Sequence, residues 1–426
     1  MRHLVAGQVV ALHVDETTDP NMRYVFTILC SLLDNSSNHQ ALAAPLLLTS
    51  IELTAVNHKT VADAITGVVE EYGIFSKDVY AVVGDNASYM KKAWKDILCN
   101  VYRNGTFISC YAHIYALAGE EWRAKFGKVD DLVAGMKAIM VKAPGRRGRY
   151  LRFLDQNEVR DATLPPSPVV TRWNTWFEAV KYHSKYIDHY LAFIEQEIVE
   201  EKKTVQLSKL QKPLSENDGE LKIQVTELAT QSRKLVVLLD SFQSRSRQGH
   251  KIFNSVHDTL TWLQGVAEDG SLSPTTRSAA SASANKLSHY HTGGSKQLAV
   301  NFFSYLRCLD PIQLCVAESR AYSDIKVALH LPDGCDGEWP IYMAAVRDLR
   351  ASTSVNICDF WKSLAERLPT LSRHALRLLN IPINSADVER VFSVLGDIMT
   401  PSRQSLSFRS MASHLQIAVN YESLRK

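Results

Sequence analysis

Three carboxylates occupy positions from which chemistry could be done. Asp15 closes the apolar run that holds Val9, Val10, Leu12 and Val14. Asp85 follows directly on Ala81-Val82-Val83-Gly84. Strand ends suit functional side chains, because the sheet fixes their base while their tips reach solvent. Glu389 lies in Ala386-Asp387-Val388-Glu389-Arg390-Val391-Phe392-Ser393, beside the stripe Val388, Val391, Phe392 and Leu395. Its helical neighbours at +4 and +7 are Ser393 and Gly396, which leave room before the carboxylate. Three converging carboxylates stay ionised together only around a compensating cation. Hard oxygen donors favour Mg²⁺ or Mn²⁺. A pair of such ions can clamp both oxygens of an in-line phosphoryl transfer. The plainer alternative is that Asp15 caps a turn, Asp85 starts a loop and Glu389 pairs with an arginine.

The elements that must position these acids follow from periodicity. The residues around Val9–Val14 and Tyr24–Leu33 read as two strands separated by the Asp19-Pro20-Asn21 turn. Leu42–Leu53 predicts a third strand, Thr60–Tyr72 a helix, and Val79–Val83 a buried strand. Helices are expected over 87–98 and 111–126, with an extended piece Thr106–Ser109 between them. The order β-β-β-α-β-α predicts an α/β or α+β core of about 130 residues, a mixed sheet with flanking helices. Beyond residue 172 the periodicity is almost wholly helical. Residues 270–284, rich in Ser, Ala and Thr, read as a linker or an Ala-rich helix, with composition slightly favouring the linker.

Composition narrows the classes. The 426 residues are 46% hydrophobic and 22% charged, a globular balance, and the formal charge of +3 leaves any nucleic-acid argument to local clusters. No apolar run reaches the roughly 18 residues of a membrane span, and His13 and Asp15 interrupt any signal-peptide stretch. Seven irregularly spaced Cys predict free thiols in a reducing compartment. There is no Gly-x-Ser-x-Gly, and Gly293-Gly294-Ser295-Lys296 lacks the upstream glycine of a P-loop. Cys110-x-x-His113 is half a zinc site with no second pair at finger spacing. Lys137–Arg152 concentrates Lys137, Lys142, Arg146, Arg147, Arg149 and Arg152 with no acid before Asp155, around Gly145 and Gly148. It reads as a flexible phosphate-binding stretch or a solvated loop. Arg172-Trp173 pairs a cation with an aromatic, which suits phosphate contact plus base stacking, or a core Trp opening a helix.

Taken in order, several segments resemble the motifs of the hAT superfamily of DNA transposases. They are His13-Val14-Asp15-Glu16-Thr17-Thr18-Asp19, Val83-Gly84-Asp85-Asn86-Ala87-Ser88-Tyr89-Met90, Ser109-Cys110-Tyr111-Ala112-His113-Ile114 and Thr171-Arg172-Trp173-Asn174. Leu309-Asp310-Pro311 resembles a short motif of the family's helical insertion. Leu371–Ser393, with Asn380-Ile381-Pro382 leading into Val388–Ser393, resembles the family's C-terminal dimerisation region.

The resemblance implies an RNase H-like catalytic core interrupted by a large all-α insertion. It divides the chain into 1–130 (first part of the core), 131–171 (basic linker), 172–358 (insertion) and 359–426 (helices completing the core and the dimerisation region). It implies a catalytic and metal-holding triad of Asp15, Asp85 and Glu389 with Mg²⁺ or Mn²⁺. Water would attack the phosphodiester and the freed 3′-hydroxyl would attack next. DNA contacts are implied at Trp173, beside a flipped base, and at Arg172, His113 and Cys110. Dimerisation is expected through Leu371, Ala375, Leu378, Leu379, Val391 and Phe392. The implied partners are transposon-end DNA and further copies of the chain, in the nucleus. The resemblance also favours a helix for the Ser/Ala stretch. Full-length members carry a zinc finger ahead of the first strand, whereas only 14 residues precede Asp15 here. The expectation is therefore an N-terminally truncated transposase, or a domesticated, non-catalytic derivative that serves as a DNA-binding and dimerisation scaffold.

Overall fold

The computed structural model describes residues 1–34, 43–168, 174–201, 204–216, 219–291, 296–316, 320–347, 349 and 355–424. The chain divides into two compact units. The first comprises residues 1–114, 242–257 and 289–426, and the second 115–241 and 258–288.

The first unit is built on one five-stranded sheet. Its strands are β1 (Val10–Thr18), β2 (Tyr24–Leu32), β3 (Leu46–Leu53), β4 (Val79–Gly84) and β5 (Thr106–Ser109). They lie in the order β3-β2-β1-β4-β5. β2 is antiparallel to both β1 and β3, whereas β4 is parallel to β1 and β5 to β4. β2 is therefore the one reversed strand. The β1–β2 turn is held by Asp19, whose carboxylate accepts from the backbone N–H of Asn21 and Arg23 and from the Arg23 guanidinium.

Burial on both faces explains the continuous apolar runs of β1 and β4. On one face, Val10, Leu12, Val14, Phe26, Ile28 and Val82 pack against Val61, Ile65, Val68 and Val69 of the helix His58–Glu71. That helix starts in a capping box between Asn57 and Thr60. On the other face, Val25, Leu29 and Leu47 pack against Val388, Val391 and Leu395 of the helix Ala386–Ile398 and against Met411 and Leu415 of Phe408–Leu424. Burial of each such side chain is worth about 1.5–3 kcal/mol. The five predicted strands are present. β3 starts at Leu46, and Leu42 lies outside the described residues. The helix expected over 87–98 runs regularly from Ser88 to Ala93 and then widens into a π-helical stretch, Trp94–Leu98.

The second unit is helical. It contains Gly127–Met140, Pro144–Gln156, Thr175–Glu201, Val205–Ser215, Glu220–Gln231 and Pro274–Ser288. Two readings need correction here. The basic stretch is not a flexible loop: Arg146, Arg147, Arg149 and Arg152 lie on the helix Pro144–Gln156. The Ser/Ala-rich segment 270–284 is helical from Pro274, as the resemblance implied and against the slight compositional preference for a linker. Ser273 caps this helix, its hydroxyl accepting from Thr276 N, and the Glu227 carboxylate braces the cap by accepting from Ser273 N and from the Ser273 and Thr276 hydroxyls.

The two units also draw in segments from along the chain. Residues 242–257 and 289–358 group with the sheet, and 115–171 with the helical unit. Long-range polar ties account for part of this, such as Arg247 Nε to Asn380 Oδ1 (2.6 Å) and Trp361 Nε1 to the Leu309 carbonyl (2.8 Å). Leu309-Asp310-Pro311 accordingly belongs to the sheet-bearing unit. Among the described residues no helix is long and apolar enough to cross a membrane.

Candidate active site

Register brings the first two acids together. β1 and β4 pair in parallel with Ala11 beside Ala81, Leu12 beside Val82 and His13 beside Val83. Two residues further along, this alignment puts Asp85 beside Asp15. Asp15 is also the antiparallel partner of Thr27, which shares a face with Val25 and Leu29. That is the face covered by Ala386–Ile398, the helix that carries Glu389 in its first turn.

The segment leading into this helix is pinned to the sheet. His13 Nδ1 donates to the Asn384 carbonyl (3.2 Å), and its Nε2 accepts from the Ser31 hydroxyl (2.8 Å). Burial pushes His13 below its usual 6.5, which keeps it neutral and suits this arrangement. Tyr111 N donates to the Ile383 carbonyl, and Ser385 N donates to Cys110 Sγ at 3.3 Å. Buried Asp387 accepts three bonds from the Nε and Nη2 of Arg245 and one from Arg390 (2.7 Å), which anchors the first turn of the helix. None of His13, Asn384, Arg245 and Asp387 was singled out by sequence reasoning. The only signal was an uninterrupted run of polar residues, Asn384-Ser385, before an amphipathic helix.

The electrostatics are those of crowded anions. Burial, and then the charge of Asp85, raise Asp15 well above the usual carboxylate range. Burial raises Asp85 against the opposing effects of the Ala87 N–H, His113 and Lys91. Burial also raises Glu389. Glu16, overlooked in the sequence because strand alternation should turn it away from Asp15, is lifted to about 7 by burial and by Asp85.

His113 is the counterweight. Burial disfavours its charge, but Cys110, Asp15 and Glu389 lift it to about 10. Burial opposes ionisation of Cys110 as well, yet His113 and the Ser385 N–H bring this thiol below its usual 9.0. His113 Nε2 lies 3.5 Å from Glu389 Oε1. Ligand atoms of Asp15, His113 and Glu389 lie within 4.8 Å of one another. Glu16 Oε2 and Glu389 Oε1 are buried with no hydrogen-bond donor among the described residues. Carboxylate oxygens crowded in this way, two of them lacking donors, fit a divalent cation.

Other expected site residues fare differently. Arg172 and Trp173 lie outside the described residues. Arg146 and Arg149 are not available to phosphate, because both bind the fully buried Glu197 carboxylate at 2.6–2.9 Å. Arg147 and Arg152 are exposed on the same helix, although Arg147 Nε also donates to the Met140 carbonyl. The expected dimerisation residues Leu371, Ala375, Leu378, Leu379 and Val391 are buried in the chain's own core, and Phe392 is half-buried. Core and interface positions share one helical periodicity, so spacing could not separate them. The outward apolar side chains of the last helix are Ile417 and Tyr421, 61% and 53% exposed.

The geometry defines a mixed α/β protein with an acidic, cation-competent centre at the ends of two adjacent parallel strands. Residues 339–419, roughly a fifth of the chain, match the hAT family C-terminal dimerisation region. This stretch includes the Glu389 helix and most of the last helix. None of the curated proteins compared with the chain matches it.

Proposed function

We propose that this chain is a hAT-type, transposase-like protein that cleaves and joins DNA at Asp15, Asp85 and Glu389 and assembles with further copies of itself. The strand order β3-β2-β1-β4-β5 with β2 alone reversed supports an RNase H-like core. The observation that carries the proposal is the gathering of Asp15 from β1, His113 and Glu389 from a distant helix within 4.8 Å, with Glu389 Oε1 buried and without a hydrogen bond among the described residues; Asp85 is not within that group and stands next to Asp15 by strand register. Asp15, Asp85 and Glu389 would hold Mg²⁺ or Mn²⁺, with His113 beside them. When bound, the ion supplies charge stabilisation to a phosphodiester under in-line attack. The chain's own contribution is positional. The β1–β4 register fixes two acids, and the Asn384–Ser385 ties and the Arg245–Asp387 pair fix the third. His113, held cationic, offsets the anions between turnovers. The match over 339–419 supports self-association. The same reading expects a nuclear location, where such DNA would be met.

The test is cleavage of a DNA hairpin or nicked duplex by the whole chain with Mn²⁺. Weak, nonspecific cleavage is expected, and Asp85→Asn and Glu389→Gln should each abolish it. Cleavage that survives both substitutions overturns the assignment, and a well-folded chain that never cleaves favours the scaffold reading.

A further inference from the structure

Beside the acidic centre, on the Asp85 side, the sheet-bearing unit gathers positive charge. Lys91 Nζ donates to Asn86 Oδ1 at 3.0 Å. Asn86 Nδ2 donates to the Tyr290 hydroxyl at 2.5 Å. Lys296 Nζ sits 5.8 Å from the centre of the Tyr290 ring. Residues 86, 91, 290 and 296 thus form one connected arc that begins at the residue after Asp85. Both lysines are half-buried.

Two partly desolvated ammoniums brought together repel each other unless an anion lies between or before them. The acid that faces Lys91 is Asp85, which already belongs to the neighbouring carboxylate cluster. We propose that Lys91 and Lys296, oriented by Asn86 and Tyr290, seat one backbone phosphate of a polynucleotide next to the carboxylate centre. This rests on the reading that nucleic acid is the substrate.

Two features favour a polynucleotide phosphate over a small anion. The arc is continuous with the acidic centre, so a strand whose reacting phosphodiester lies at the carboxylates would run a neighbouring phosphate past the lysines. Lys95, exposed one turn beyond Lys91, extends the positive track in the same direction. The charges agree with this: burial first, and then the charge of Lys296, hold Lys91 below its usual 10.5. A bound phosphate relieves both.

The experiment is fluorescence anisotropy of the whole chain on a labelled nicked duplex. It is run in EDTA to remove any cleavage, from about 50 to 200 mM salt, with circular dichroism and melting temperature recorded for each variant. The slope of log affinity against log salt should be shallower by about 0.9 in Lys91→Gln, the value for one phosphate contact. Lys296→Gln should do the same. The double variant should lose little more, because both side chains hold the same phosphate. Lys91→Arg should restore the slope, which separates loss of charge from loss of fold. Lys59→Gln, exposed on the helix His58–Glu71, serves as the control. Slopes for Lys91→Gln and Lys296→Gln no different from that of Lys59→Gln overturn the proposal, as does a chain that does not bind the duplex. Because the assay contains no metal, a shallower slope upholds this seat even if Mn²⁺-dependent cleavage is never found.

Discussion

Replacing Glu16 by Gln tests whether the acids are electrostatically crowded. Burial and Asp85 lift the Glu16 carboxyl from 4.5 to about 7. At about 1.4 kcal/mol for each tenfold in proton affinity, that difference is roughly 3 kcal/mol. Glu16 is partly exposed, so water screening reduces it to about 1.5 kcal/mol. The sign follows from proton linkage. The folded chain holds the proton between pH 4.5 and 7 while the unfolded chain has released it, so stability falls as pH rises through that window. Below pH 4.5 the Gln variant and the parent should therefore have equal stability. At pH 8, without metal, the variant should be more stable by about 1.5 kcal/mol, a rise in melting temperature of about 3–6 °C. Added Mn²⁺ should narrow the gap, since a bound cation stabilises the parent's anions. The assay is thermal unfolding followed by circular dichroism at both pH values, with EDTA and then with Mn²⁺. An equal or lower melting temperature for Glu16→Gln at pH 8 would refute the crowding of Asp15, Glu16 and Asp85, and with it the need for a metal.

Two further outcomes are expected. Glu197→Gln leaves Arg146 and Arg149 without their buried carboxylate; it should destabilise the helical unit by about 3–5 kcal/mol in urea titration, and a loss under about 1 kcal/mol would show the cluster to be solvated. Ile417→Asp should shift the chain toward monomer in analytical ultracentrifugation, with melting unchanged because this side chain points outward; an unaltered distribution would move the self-association surface off Ile417.

The strands and the first two acids were legible in the sequence because an acid at the end of an apolar run is a local signal. Val79–Gly84 running into Asp85 is a strand end whatever the rest of the chain does. Glu389 was legible as a candidate from its place beside an apolar stripe. What turns it toward Asp15 was not, because His13–Asn384 and Cys110–Ser385 join residues 371 and 275 positions apart. The basic stretch misled for the same reason: the acid that neutralises Arg146 and Arg149 lies 51 and 48 residues downstream. The Ser/Ala segment differs, because its cap is local: Ser273 accepts from Thr276 N ahead of Pro274, and only the composition suggested a linker. Local composition cannot report a partner brought in by folding. Leu371, Ala375 and Leu378 mark the converse limit, since a buried stripe looks the same whether its cover is the same chain or another.

The tie between His13 and the carbonyl of Asn384 has a consequence for synthesis. A ribosome releases β1 long before Glu389, which follows the end of that strand by some 370 residues. Until then the nascent polypeptide carries Asp15 and Asp85 without the helix that completes their set. Glu389 therefore cannot join Asp15 and Asp85 until residues 384–389 have been made and His13 has found the Asn384 carbonyl.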